Sequence, residues 1–188
     1  MESLCIGVVG ENGAGKTTAV KLIQAELVGH TTKIIRFSEL LSATLKLWNL
    51  EPNRANLQLA AQAMDNTYGK GTLSRAVIAQ AKHMTEDVLF LDGVRWLTDE
   101  TGVRSFENNL IIYITASPEV RFHRLRERKE KTGEGSMSWE QFLEEDSAPN
   151  EQFAAEIGSR ADFTVRDIVN EQTIAPIVKE IRRRLNTV

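Results

Sequence analysis

The 188-residue sequence holds a single cysteine, Cys5, so an internal disulfide is excluded. Cys5 lies in an apolar run, where a buried, inert thiol is expected. The three histidines, His30, His83 and His123, are scattered, and no Cys/His spacing of a zinc site occurs. The amino terminus lacks the basic-then-apolar order of a signal peptide. No apolar run is long enough to cross a bilayer. These absences lead to the expectation of a soluble cytoplasmic protein with no membrane partner, in a cell or in the cytoplasm of a virus's host. The net charge is -3, so no basic field calls for nucleic acid. Repeats and low-complexity segments are missing. With 41% hydrophobic and 26% charged residues, the composition is that of a globular domain, sized for one core with a small inserted lid.

What is present is alternation. Leu4–Val9, Lys33–Phe37, Asp87–Gly93 and Asn109–Thr115 read as buried strands, and "ADFTVRD" as a last short one. Helices are expected over Lys16–Val28 with Gly29 as cap, Ser38–Leu50 with Ser38 as N-cap, Asn53–Tyr68 closed by Gly69, and Thr72–Met84. Ser117-Pro118-Glu119 opens another. Ser138 and Gln141 form a capping-box pattern, and Glu171–Leu185 is a final helix. Strands alternating with helices imply an α/β fold with a largely parallel sheet covered on both faces.

Chemistry concentrates in "GENGAGKTT", Gly10 to Thr18, between a strand and a helix. It matches the phosphate-binding P-loop pattern at every required position. Glycines let successive N–H groups converge on one anion, and the helix start adds partial positive charge. Gly10, Asn12, Gly13, Ala14, Gly15, Lys16, Thr17 and Thr18 are therefore the candidate nucleotide contacts. Lys16 would bridge the β- and γ-phosphates, Thr17 would hold Mg²⁺, and Thr18 would touch the α-phosphate. "VLFLDG" ends a buried strand in Asp92, which would reach Mg²⁺ directly or through water.

Arg95 follows closely, and its fork suits a second phosphate; a salt bridge to Asp99 or Glu100 is the alternative. Arg121, Arg124, Arg126 and Arg128 form the densest basic run. Arg121, Arg124 and Arg128 share one helix face, whereas Arg126 points elsewhere. The run precedes a glycine-containing loop, as a lid would, so two or so of these arginines are expected on phosphate, Arg124 and Arg128 foremost. A solvated charged helix is the plainer reading. No Asn-Lys-x-Asp or Leu-Ser-Gly-Gly element occurs, which argues against a GTPase and a transport ATPase.

"YGKGTLSRAVI" (Tyr68–Ile78), "LFLDGVRWLTDE" (Leu89–Glu100), "IYITASPEVRFHRLRERKEKTG" (Ile112–Gly133) and "SRADFTVRD" (Ser159–Asp167) join the P-loop in one pattern. Together they resemble the nucleoside-monophosphate-kinase group. Within it the chain is similar to the dephospho-CoA-kinase-like and deoxynucleoside-monophosphate-kinase branch. The resemblance implies a P-loop NTPase three-layer sandwich with a five-stranded parallel sheet in one domain, residues 1–188. It implies a helical acceptor region near residues 38–84 and a lid near residues 124–150. It also implies that Arg95 and Arg75 hold the acceptor phosphate and that "RADF" lies near the donor adenine. Two departures stand out. Asp146 has no adjacent arginine, and the second strand ends in "RFSEL" rather than an Asp-x-Asp run.

A phosphate acceptor is already a nucleophile at neutral pH and needs positioning and charge neutralisation, whereas a hydroxyl acceptor needs a base, for which Glu39 and Asp92 are the candidates. The expectation is an ATP- and Mg²⁺-dependent kinase of a nucleoside or deoxynucleoside monophosphate. Phe37, Ser38, Arg75, Asp92 and Arg95 would meet the acceptor, with Phe37, Leu41 or Trp48 as stacking candidates. Transfer to a hydroxyl and a regulatory ATPase are the alternatives. The oligomeric state stays open, a homodimer included.

Overall fold

A computed structural model describes residues 2–128, 137–147 and 152–186, the side chains of Arg54 and Arg128 excepted. The elements are β1 (Leu4–Val9), α1 (Lys16–Glu26), β2 (Thr32–Arg36), α2 (Phe37–Leu47), α3 (Arg54–Tyr68), α4 (Thr72–Ala81), β3 (Val88–Val94) and α5 (Leu97–Arg104). They continue with β4 (Asn109–Thr115), α6 (Pro118–Arg128), α7 (Trp139–Asp146), α8 (Phe153–Gly158), β5 (Phe163–Arg166) and α9 (Glu171–Leu185). The five strands form one parallel sheet in the order β2-β3-β1-β4-β5. The expected α/β sandwich with a five-stranded parallel sheet is the fold.

Every residue of β1 is buried, because the strand is central and both of its faces are covered. Leu4, Ile6 and Val8 point to one face, where Val20 and Ile23 of α1 and Ile174, Ile177 and Ile181 of α9 pack. Cys5 and Val9 point to the other, against Val77 and Ile78 of α4, Val103 of α5 and Ile157 of α8. The period of two along β1 thus feeds two cores. Burial pushes the Cys5 thiol up to about 12, which fits the inert thiol expected.

Several boundaries differ from the sequence reading. β3 does not stop at Asp92-Gly93. It runs on to Val94 with a register shift: Val8 pairs with Asp92, but Val9 pairs with Val94. Gly93 is the extra residue, at φ 89°. An extra residue bends a strand and re-aims its neighbours, here at Asp92. α2 begins at Phe37, and its N-cap is Arg36, not Ser38. Glu39, three residues on, accepts from the Arg36 backbone N–H at 3.5 Å. The carboxylate therefore does the capping that the Ser38 hydroxyl was expected to do. Asn53, by contrast, caps α3 through Asn56 N–H at 2.9 Å, and Ser138 and Gln141 make the reciprocal box on α7. Helix α8, with the sequence FAAEIG, lies in a stretch for which the sequence reading gave no helix. It exists because Ala154, Ile157 and Gly158 bury against the sheet, with Gly158 pressed on the Tyr113 ring.

Phe90 is fully buried in the first of these cores. Phe90→Ala is expected to lower unfolding free energy by about 3–5 kcal/mol. Urea titration should show a lower midpoint with an unchanged slope.

Candidate active site

β1 ends in a turn that only glycine can make. Gly10 sits at φ 148°, and a Cβ there would lie 2.0 Å from the Ile114 carbonyl oxygen. The chain must bend at once over the neighbouring strand, so Gly10 is required by backbone sterics before any ligand is considered. The loop then runs to Gly15, whose left-handed conformation starts α1. No side chain caps that helix start. Its first N–H groups are therefore available to an anion along the helix axis. The Lys16 ammonium donates to the carbonyls of Gly10 at 2.7 Å and Glu11 at 2.8 Å, which places its charge at the head of the loop. Thr17 and Thr18 are exposed on the first turn of α1, while Ala14 is fully buried beneath it.

Asp92 stands on the adjacent strand, paired with Val8, two residues before Gly10. It also pairs across with Arg36, and the Arg36 Nε donates to its carboxylate at 3.3 Å. Arg36 reaches Glu39 at 3.0 Å as well. Arg36 was not singled out by sequence reasoning. Its only signal was its place at the end of a strand, opposite the acid on the neighbouring one. Thr17 and Asp92 offer a hydroxyl and a carboxylate, the hard oxygen donors that suit Mg²⁺. Among the described residues there is no cluster of three or more His, Cys, Asp or Glu that could hold a metal by itself. A magnesium ion here would accordingly need phosphate oxygens as further ligands.

Arg95 follows β3 at the same edge of the sheet. Its backbone N–H donates to Asp99 at 2.9 Å, as does that of Trp96. The salt-bridge alternative thus has a backbone counterpart, with the Arg95 charge also favouring the ionised form of Asp99. Asp99 is 2% exposed and also accepts from the Ser74 hydroxyl of α4. Burial pushes its carboxyl above the ordinary range, while the Ser74, Arg95 and Trp96 donors pull the other way. This buried carboxylate locks the β3–α5 turn to α4. Arg75, on α4, is exposed and folds over the preceding turn, donating to Lys70 O at 2.8 Å and Thr72 Oγ1 at 2.8 Å.

The basic helix α6 behaves differently from its sequence reading. Arg121 is not open to a phosphate: it is 4% exposed. Its guanidinium forks onto Asp146 of α7, and its Nε donates to Ala116 O at 3.0 Å. Burial opposes its charge, but the Asp146 carboxylate outweighs this and raises its pKa. The arginine partner that Asp146 lacks in sequence therefore comes from 25 residues earlier. Phe122, Trp139 and Phe142 stack beside the pair and dock α7 on α6. Arg124 donates to Ala14 O at 3.1 Å and to the Asp167 carbonyl. Beneath the loop, the Tyr113 hydroxyl donates to Glu11 at 2.5 Å. Burial first, and then this carboxylate, raise the tyrosine pKa. The other Glu11 oxygen is buried without a hydrogen-bond partner among the described residues.

Other expectations are corrected or fall outside what is described. Phe37 is 7% exposed and belongs to the core, because α2 starts one residue early and turns the ring inward. Leu41 is buried too, whereas Trp48 is 64% exposed. Ser38 is exposed on the first turn of α2. "RADF" does not adjoin the P-loop. Asp162 accepts from Ile111 N–H at 2.7 Å, at the amino end of β5. The segment that reaches the loop is at the other end of the strand: Val169 would meet a Cβ on Gly15 at 3.1 Å. The Arg128 side chain, and residues 129–136 and 148–150 of the expected lid at 124–150, lie outside the described residues.

A family model described as an AAA domain matches residues 9–142. The chain belongs to this AAA-domain family. Over 183 residues it is 25% identical to a UPF0200 protein of Methanocaldococcus jannaschii, covering 95% of this chain and 87% of that one. It is 23% identical over 183 residues to a UPF0200 protein of Hyperthermus butylicus, covering 97% and 94%. Among solved structures it is similar to TT1252 from Thermus thermophilus, with TM-score 0.64, 16% identity and coverage of 98% and 99%. It is also similar to shikimate kinase from Bacteroides thetaiotaomicron, with TM-score 0.58, 15% identity and coverage of 97% and 98%. At these identities the structures establish the P-loop kinase-like fold and nothing further. Among the described residues no helix is long and apolar enough to cross a membrane.

Removing Asp146 would leave the Arg121 charge buried and uncompensated. Asp146→Ala should cost about 3–5 kcal/mol of stability. Thermal or urea unfolding would measure it, and a loss under about 1 kcal/mol would show the pair behaving as a surface one.

Proposed function

We propose that this protein is an ATP- and Mg²⁺-dependent kinase that transfers the γ-phosphoryl group to a nucleoside or deoxynucleoside monophosphate. The observation that carries the reading is the position of cations at one edge of the sheet. The uncapped start of α1 and Lys16 lie after β1, and Arg36 and Arg95 lie at the ends of β2 and β3. A P-loop and a second set of cations thus share one edge of the sheet, which supports transfer between two phosphates.

In this reading Gly10, Asn12, Gly13, Ala14, Gly15, Lys16, Thr17 and Thr18 cradle the ATP phosphates. Thr17 and Asp92 hold Mg²⁺, which when bound neutralises charge on the transferring group. Arg95, helped by Arg75, fixes the acceptor phosphate. Arg36, which already bridges Asp92 and Glu39, adds positive charge beside it. The acceptor phosphate is nucleophilic near neutral pH, its second pKa being about 6. Positioning and charge neutralisation then supply the catalysis, without a general base. Residues near 38–84 form the acceptor region and residues near 124–150 the lid, and the chain works as one domain.

A second reading is favoured by the two carboxylates, Asp92 and Glu39, that share Arg36 at this edge. They could serve a hydroxyl acceptor, since either can take a proton. Shikimate kinase, which has the same fold, is named for a hydroxylated acid.

ADP release measured against a panel of ribo- and deoxyribonucleoside monophosphates, dephospho-CoA and shikimate decides between these readings. Turnover on a monophosphate is expected, and none on any monophosphate sinks the proposal. Hydrolysis of ATP indifferent to every acceptor would point to a regulatory ATPase. Arg95→Ala is expected to raise KM for the acceptor by about tenfold or more, with KM for ATP changed little. Steady-state kinetics with each substrate varied separately checks this.

A further inference from the structure

Arg121 and Arg124 lie one helical turn apart on α6, and both reach the phosphate loop from outside its curve. Arg124 Nη1 donates to the Ala14 carbonyl at 3.1 Å, and Arg121 Nη1 approaches the Asn12 carbonyl at 3.5 Å. Neither contact is made by chance of side-chain reach. The Arg121 backbone carbonyl is so close to the loop that a Cβ on Gly13 would lie 2.7 Å from it. Arg121 itself is anchored by Asp146 and Ala116. Arg124 is anchored at its second nitrogen by the carbonyl of Asp167. That residue is held in turn, its N–H on Thr115 O at 2.8 Å and its carboxylate on the Ser117 N–H at 3.1 Å.

A trans peptide carries its C=O and the following N–H on opposite sides, and no cis peptide occurs among the described residues. Pinning the Ala14 carbonyl toward Arg124 therefore turns the Gly15 N–H away from α6, into the loop. The Asn12 carbonyl does the same for the Gly13 N–H. A glycine-rich loop is conformationally loose by itself, so such an external constraint has a purpose.

We propose that Arg124, seconded by Arg121, is a positioning residue of the phosphate loop. It acts from behind, holding loop carbonyls outward so that the Gly13 and Gly15 N–H groups face a phosphate. This assigns to Arg124 a role different from direct contact with the γ-phosphate, and it rests on the reading that the loop takes a nucleoside triphosphate.

The test is equilibrium binding of ATP, ADP and inorganic pyrophosphate, each with Mg²⁺, to the wild-type chain, Arg124→Ala and Arg124→Lys. Calorimetry or displacement of a fluorescent ADP analogue reads the affinities. A role behind the loop predicts that Arg124→Ala weakens all three by a similar factor, on the order of tenfold. Arg124→Lys should restore only part of it, because a compact ammonium lacks the rigid planar fork that spans the Ala14 and Asp167 carbonyls from two separate nitrogens. Loss for ATP and ADP with pyrophosphate unchanged would put the guanidinium on the base. Loss for ATP alone would put it on the γ-phosphate. Either result, or no loss at all, overturns the proposal. Should Arg124→Ala fail to fold, the same pattern across the three ligands is read from Arg124→Lys. No acceptor or turnover is involved, so this test can fail while the monophosphate reading stands, and the reverse.

Discussion

The rest of the structure depends on one close approach, the backbone of Gly10 against the carbonyl of Ile114. The central strand is buried on both faces, so its chain can leave the sheet only at its carboxyl end. There it must bend immediately, over the top of the neighbouring strand. No side chain fits at that bend, since a Cβ would fall 2.0 Å from a carbonyl oxygen. The loop that follows is therefore aimed by the sheet itself. Its helix begins beneath it, with an uncapped N-terminus at the same edge where β3 delivers Asp92 and Arg95.

Around this bend two layers of charge have different tasks. At the carboxyl edge of the sheet stand Lys16, Asp92, Arg36 and Arg95. On the other side Arg121 and Arg124 tie α6 to the loop's carbonyls, and Asp146 brings α7 into the same network. The buried Glu11–Tyr113 pair lies below, adding a carboxylate oxygen without a partner among the described residues to the loop's own floor. A buried polar network is costly when incomplete and specifying when complete. Its concentration under one loop indicates where the fold tolerates that cost. The Asp99 turn plays a comparable part at the end of β3, fastening the Arg95 backbone to α4 through two backbone donors and Ser74.

Much of the fold was legible because burial patterns and local chemistry agree. β1 is an unbroken apolar run ended by glycine, Asn53 and Ser138 carry their own caps, and the P-loop glycines announce a turn. Two of the misreadings came where a distant partner decided, and one where a neighbouring side chain took over the cap. Asp-Gly looks like the end of a strand, but pairing with Val9 carries β3 on to Val94. Ser38 looks like a cap, but the Glu39 carboxylate satisfies the helix start one residue earlier. The short α8 segment went unread, and it packs Ala154 and Ile157 into the core with Gly158 against the Tyr113 ring. Within the site, the P-loop and Asp92 were legible, since strand ends must lie at one edge. Arg36 was missed because register, not sequence, sets it beside Asp92.

The sequence by itself determined the parallel sheet, the order of its helices and the glycine loop, because periodicity, caps and turn residues act over a few neighbours. It also determined that arginines would gather near that loop. Which way each arginine faces was decided by tertiary structure alone. Arg121 and Arg124 have the spacing of phosphate-facing residues, yet their partners are Asp146, Asn12, Ala14 and Asp167, all remote along the chain. A guanidinium goes to whatever acceptors the fold brings within reach, and spacing along one helix carries no information about those.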